Sequence, residues 1–235
     1  QLKLLETKPQ IVGLSATITN SDEIADWLEC KLVKNDWRPV PLSEGVCDEG
    51  QVTMSDGKTF EVERSLMGTP IDLGVQSVHQ GGQSLVFAET RTRSKSLATK
   101  AADAIFQILE KKEITELEKT SKKLLSENEH TEIVKTLALL VKKGVAFHHA
   151  GLNQKCRETI EAEFRKGTIK LLSSTPTLAA GVNLPARRVV ISNINRYNAK
   201  VGANRPISIL EYKQLCGRAG RPQYDDYGES IIVGK

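Results

Sequence analysis

Two arginines three residues apart, each preceded by glycine, stand in the stretch Gln214-Leu215-Cys216-Gly217-Arg218-Ala219-Gly220-Arg221-Pro222. A guanidinium is permanently charged and offers a planar fork of donors that matches phosphate oxygens. Gly217 and Gly220 carry no side chain, which would let a bulky anion approach the backbone. On a helical reading Arg218 and Arg221 are i, i+3 and share a face, with Gln214 a further turn back on it. The glutamine amide can both donate and accept. The ordinary alternative is a solvated basic turn closing a helix before Pro222.

Four more polar clusters stand out. Glu89-Thr90-Arg91-Thr92-Arg93, His148-His149-Ala150-Gly151-Leu152, Ser173-Ser174-Thr175-Pro176 and Gly181-Val182-Asn183-Leu184-Pro185 each follow an apolar run. The histidine pair has a bland reading as core or loop and a sharper one as a nucleic-acid contact; a metal site is disfavoured. Gly57-Lys58-Thr59 imitates the end of a P-loop, but the required earlier glycine is Val52. Asp48-Glu49 lacks a partner for an acidic magnesium box. Neither place would hold Mg-ATP.

These clusters need a scaffold that delivers them to one place. Ser84–Ala88, Val145–Phe147, Ile169–Leu172, Arg188–Ile191 and Ser230–Val233 are short apolar runs of the kind buried on both faces of a parallel sheet. Helices are expected between them: one beginning near Ser94 with Leu97, Ala101 and Ile105 inward, another capped by Asn153 and closed by Gly167. Residues 110–143 read as a charged, solvated helical insertion. Parallel strands with crossover helices place ligands at the strands' carboxyl ends, so all the polar clusters, both guanidiniums included, are expected at that rim.

Residues 32–66 read as an extended segment, kept at an edge or in a linker by Pro39 and Pro41, followed by a hairpin turning at Asp56-Gly57. A second hairpin is expected around Asn198–Asn204. Near the start, Ile11–Leu14 ends at Ser15-Ala16-Thr17, and Asn20 with Glu23 resembles a capping box for a short helix.

The chain has 235 residues, 39% apolar and 26% charged, with net charge +4. That is an ordinary globular balance, permitting a polyanionic partner without demanding one. No apolar run approaches the roughly 20 residues of a membrane span. Cys30, Cys47, Cys156 and Cys216 are scattered without a Cys-x-x-Cys pair, pointing to neither zinc nor disulfides. An intracellular, cytoplasmic chain (nuclear if eukaryotic) is expected.

The arginine stretch resembles motif VI of the superfamily 2 helicases in its Ski-like form. Leu85–Arg93 is similar to motif IV, Phe147–Leu152 to motif IVa, Ser174–Pro185 to motif V and Ser15–Thr17 to motif III. Asp36–Leu42 and the His-His-Ala-Gly-Leu run look most like the archaeal DNA repair helicases related to the helicase region of DNA polymerase theta.

The resemblance implies an α/β fold, a RecA-like parallel sheet flanked by helices with a helical insertion and a β-hairpin. Residues 1–30 would be the tail of a first motor domain and 31–235 the second. It further implies Arg218 and Arg221 as catalytic arginine fingers. Gln214, Gly217, Gly181 and Asn183 would be nucleotide-binding, with ATP and Mg2+ held mainly by the first motor domain. Thr90, Arg91, His149, Ala150, Gly151 and Thr175 would contact nucleic acid, Tyr197 would act as a strand-separating wedge, and Ser15 and Thr17 would face the interdomain gap. The partners implied are single-stranded or forked DNA and the first motor domain, in a monomer that moves 3′ to 5′. An RNA helicase of the same branch and a non-catalytic nucleic-acid-binding module stay open.

Overall fold

The computed structural model describes residues 12–15, 18, 20–35, 37–176, 184–198 and 202–234, with residues 197 and 198 described through their backbone alone. The chain falls into two compact units, Gln1–Trp37 and Arg38–Lys235, a later boundary than residue 30. In the first unit the described helix is α1 (Ser21–Leu28). Asn20 precedes it, but makes no side-chain capping bond to the backbone; its amide donates to Glu23 Oε2 at 3.2 Å instead.

The second unit opens with β1 (Leu42–Asp48), β2 (Gln51–Met54) and β3 (Thr59–Glu61), then α2 (Thr69–His79), β4 (Ser84–Phe87) and α3 (Arg91–Phe106). There follow α4 (Lys111–Glu127), α5 (Glu132–Lys142), β5 (Val145–His148), α6 (Gln154–Lys166), β6 (Leu171–Ser174) and β7 (Arg188–Ile191). The hairpin β8 (Asn195–Asn198) and β9 (Ala203–Pro206), α7 (Ile209–Cys216) and β10 (Gly228–Val233) complete it.

One sheet of order β3-β2-β1-β10-β7-β4-β6-β5 carries the unit. From β1 across to β5 every neighbour is parallel, while β2 and β3 turn back antiparallel at the edge. The apolar runs explain the centre: β4, β5, β6 and β7 are buried at every position. Each fully buried Leu, Val or Phe there contributes roughly 1.5–3 kcal/mol.

Of the two places expected for the proline segment, edge or linker, it takes the second: Pro39 and Pro41 precede β1, which is no edge strand but lies paired between β10 and β2. The hairpin at Asp56-Gly57 does join β2 to β3, with Gly57 at φ +84°.

The solvated insertion is corrected as well. It is two helices, broken at Asn128–His130, and they bury Leu117, Leu124, Val134, Leu137 and Val141 at 0–3% exposure. Ser121 Oγ donates to Ala138 O at 2.7 Å and fastens one helix to the other. The charged residues form only the outer face. Helix α2 follows Gly68 with Pro70 in its first turn, where a missing N–H costs nothing.

Helix α6 is as expected: Asn153 Oδ1 accepts from Cys156 N at 2.8 Å, Gly167 closes it at φ +83°, and Cys156, Ile160 and Phe164 face inward. The second hairpin pairs Asn195 with Pro206 through to Asn198 with Ala203. Among the described residues no helix is long and apolar enough to cross a membrane.

Candidate functional site

The carboxyl ends of β4, β5 and β6 are tied to one another by their first loop residues. Ala88 N donates to Ser174 O at 2.8 Å, Thr175 N to His148 O at 3.1 Å, and Ser192 N to Phe87 O at 3.0 Å. Ser94 Oγ, inside α3, donates to Ser173 O at 2.9 Å and fixes that helix over β6. Loops anchored in this way hold their side chains in register with the sheet.

An open cleft of about 560 Å³ sits on this rim. Thr90, Arg91, Ala150 and Thr175 line it, as does Gln214 from α7. Residues from four separate stretches of sequence therefore meet. Thr90 Oγ1 caps α3 by accepting from Arg93 N at 3.1 Å, and a hydroxyl that accepts there still carries a proton to donate. Arg91 is exposed on the first residue of α3, where the helix dipole adds to its attraction for an anion. Gly151 leaves room for it: a Cβ there would stand 3.2 Å from Arg91 Nη1 and 3.0 Å from His149 Nδ1.

His149 is placed otherwise than expected. It is 4% exposed, stacked on Phe147 with centroids 5.5 Å apart, and its Nδ1 accepts from Gly151 N–H at 3.1 Å. Burial, then the charge of Arg91, pushes its pKa down, so the neutral ring carries its proton on Nε2. The imidazole shapes the loop, while exposed Ala150 and Gly151 form its outer surface. His148 is equally buried and pairs through Nε2 with Glu161 Oε1 at 2.9 Å; burial pushes its pKa down too.

The sequence reading did not single out Arg196 or Glu211, which share the cleft with Glu89. Arg196 at the base of the β8–β9 hairpin is ion-paired with Glu211 on α7, and Ser192 Oγ donates to Glu89 at 3.3 Å. No periodicity links such residues; only the fold brings them together.

The arginine stretch departs furthest from expectation. Helix α7 ends at Cys216, so Arg218 and Arg221 share no helical face. The loop instead bridges to Ala186, ahead of β7: Ala186 N donates to Arg218 O at 2.9 Å and Gly220 N to Ala186 O at 2.7 Å. Arg221 therefore reaches the amino ends of the strands, away from the cleft. Its Nε and Nη2 grip Asp225 at 2.8 and 2.7 Å, and Nη1 donates to Gln83 Oε1 at 2.6 Å. Gln83 is itself anchored on Phe164 O and Ile169 O. Asp225, four residues after Arg221, was the available signal for this fork.

Arg218 is half-buried, and desolvation lowers its pKa. Gly220 is needed for packing: it has φ +87°, and a Cβ would lie 2.6 Å from Val40 Cγ1. Gly217 is exposed at the helix end. Ser15 is exposed in the first unit. Thr17, Gly181, Asn183 and the Tyr197 side chain lie outside the described residues. Among the described residues no group of three or more His, Cys, Asp or Glu could hold a metal ion.

Three relatives, all named ATP-dependent DNA helicase Hel308, are similar over nearly the whole chain. That of Caldivirga maquilingensis is 44% identical over 246 residues, covering 99% of this chain and 31% of the relative. That of Pyrobaculum calidifontis is 42% identical over 237 residues, covering 100% and 33%. That of Aeropyrum pernix is 45% identical over 226 residues, covering 96% and 30%. The chain thus spans about a third of the length of the curated relatives it matches. The family described as helicase conserved C-terminal domain matches residues 100–223, from α3 to the arginine loop. With a parallel sheet under that span and the phosphate-type residues gathered on its rim, this chain belongs to the helicase conserved C-terminal domain family.

Proposed function

We propose that this chain is the second motor domain of an ATP-dependent DNA helicase that moves 3′ to 5′ on single-stranded DNA and unwinds forked duplexes in repair or replication restart. The observation that carries this reading is the convergence of Thr90, Arg91, Ala150, Thr175 and Gln214 on one cleft. Hydroxyl, guanidinium and a helix N-terminus there suit successive backbone phosphates and make no demand on base identity. The relatives' names favour DNA over RNA.

ATP and Mg2+ belong mainly to the first motor domain in this reading. The described side chains offer no carboxylate cluster for the metal. ATP supplies the phosphoryl-transfer chemistry; this chain contributes Arg218, whose guanidinium would meet the charge developing on the transferred phosphate. An arginine in that role is worth roughly 10³–10⁵ in rate. Arg221 serves the loop first, since its fork is already filled by Asp225 and Gln83. The β8–β9 hairpin, including Tyr197, is assigned to strand separation.

The test uses the full-length protein. Arg218→Ala should abolish DNA-stimulated ATP hydrolysis, a drop of roughly 10³ or more, with DNA affinity retained. Arg91→Ala should weaken single-strand binding and flatten its salt dependence by about 0.7 in log–log slope, one phosphate contact's worth. An unchanged salt slope would remove Arg91 from the interface, and full ATPase in the Arg218 variant would remove the motor reading.

A further inference from the structure

The segment entering the second unit lies along the arginine loop. Arg38, next in the chain after the boundary residue Trp37, donates from Nη2 to Ala219 O at 2.7 Å and to Gly217 O at 3.4 Å. Its Nε donates to Val40 O at 3.0 Å, which locks the side chain against its own backbone. Val40 in turn fills the space above Gly220, and Gly228 N donates to Pro41 O at 2.8 Å. Residues 38–41 therefore clamp the loop from one side while Ala186 holds it from the other.

The two carbonyls that Arg38 reaches belong to the residues on either side of Arg218. A carbonyl just past a helix end has no partner within the helix, and a cation is the natural donor to it. A buried polar contact lies close by, where Ser230 Oγ donates to Cys216 Sγ at 3.0 Å. Arg38 is half-buried, and burial pushes its pKa down. These features fix the end of α7 and leave Arg38 as the link to the incoming chain.

We propose that Arg38 is a positioning residue for Arg218, holding the carbonyls of Gly217 and Ala219, the residues on either side of it, so that the segment leading in from the first unit sets where the Arg218 guanidinium reaches. The proposal rests on the reading of Arg218 as the phosphate-facing arginine. A misplacement of about 1 Å in such a group can cost on the order of 10²-fold in rate. Arg38→Gln loses the charge and the fork. Arg38→Lys keeps the charge as a point donor that can serve one carbonyl well but not two.

In the full-length protein, Arg38→Gln should lower the kcat of DNA-stimulated ATP hydrolysis by about 10- to 100-fold. KM for ATP and Kd for single-stranded DNA should stay within about twofold. Arg38→Lys should fall between, and Arg38→Gln with Arg218→Ala should be no slower than Arg218→Ala alone. Wild-type kcat in Arg38→Gln, with or without a lowered Tm, would overturn the proposal. So would a double variant slower than Arg218→Ala. Should Arg38→Gln fail to fold, Arg38→Lys decides, since wild-type kcat there is the overturning result. Full activity in Arg218→Ala would sink both readings, whereas a dead Arg218→Ala beside an intact Arg38→Gln would sink this one alone.

Discussion

Arg188 is 1% exposed, and the sequence marks it only as the polar start of an apolar run. Its Nε donates to Glu229 Oε2 at 2.7 Å on the adjacent strand, and Nη1 to Leu73 O and the Gln76 amide oxygen at 3.0 and 2.8 Å. The Phe60 ring covers the guanidinium at 5.4 Å. An unpaired charge in such a place is costly, so Glu229→Ala should destabilise the second unit by roughly 3–5 kcal/mol in denaturant unfolding. Changing both residues to apolar ones of similar size should cost far less; equal losses in the single and double variants would refute the pairing. Single residues were legible in the sequence where a type has one use, as with the Asn153 cap and the Gly167 that closes the same helix. They were illegible where the partner lies across the sheet, as for Arg188 with Glu229, or where a donor spends itself internally, as Arg221 does on Asp225 and Gln83. His149 belongs to the second group, because a loop histidine and a loop-shaping histidine read alike until burial is known.

At the scale of elements, continuous apolar runs gave away five parallel strands, with β6 starting two residues later than its run suggests. The missed elements carry mixed signals. Helix α2 has Ile71, Leu73 and Val75 in alternation, a strand-like period, and its Gly74 is there because a Cβ would stand 2.9 Å from Leu171 Cδ1. Strand β1 has only Leu42, Val46 and Cys47 as apolar residues and takes its place from parallel pairing with β10. In α4, Leu117 and Leu124 recur at seven residues, but the surrounding lysines and glutamates hide the buried stripe.

Helix α7 joins the hairpin to the arginine loop: its first turn holds the hairpin base through Glu211 and Arg196, and its end runs into Gly217 and Arg218. A helix of two turns is a stiff strut, so the hairpin and the arginine loop should move together. Glu211→Ala in the full-length protein should cut fork unwinding by about fivefold while ATP hydrolysis on single-stranded DNA changes little. Proportional losses in both activities would show that the strut serves folding alone.

For the whole molecule, the parallel sheet and its rim were readable because every crossover in such a sheet returns the chain to the same edge. That regularity is also why the arginine loop was misplaced: it precedes β10 and so meets the amino ends, the one cluster entering a strand from the other side. Gly57-Lys58-Thr59, the P-loop lookalike, is the turn from β2 into β3, with Lys58 Nζ on Asp56 at 2.8 Å and no helix to cradle a phosphate. The cleft on the carboxyl rim offers one exposed guanidinium, hydroxyls and amides, a set for strand backbone rather than for a triphosphate with its metal. This chain by itself should thus hydrolyse no ATP above the buffer rate, with or without DNA. It should still bind single-stranded DNA weakly, with a log–log salt slope of roughly −0.7 for the one exposed guanidinium of the cleft. Steady-state phosphate release and a salt titration of fluorescence anisotropy measure the two, and multiple turnovers from the isolated chain would mean that it carries a nucleotide site of its own.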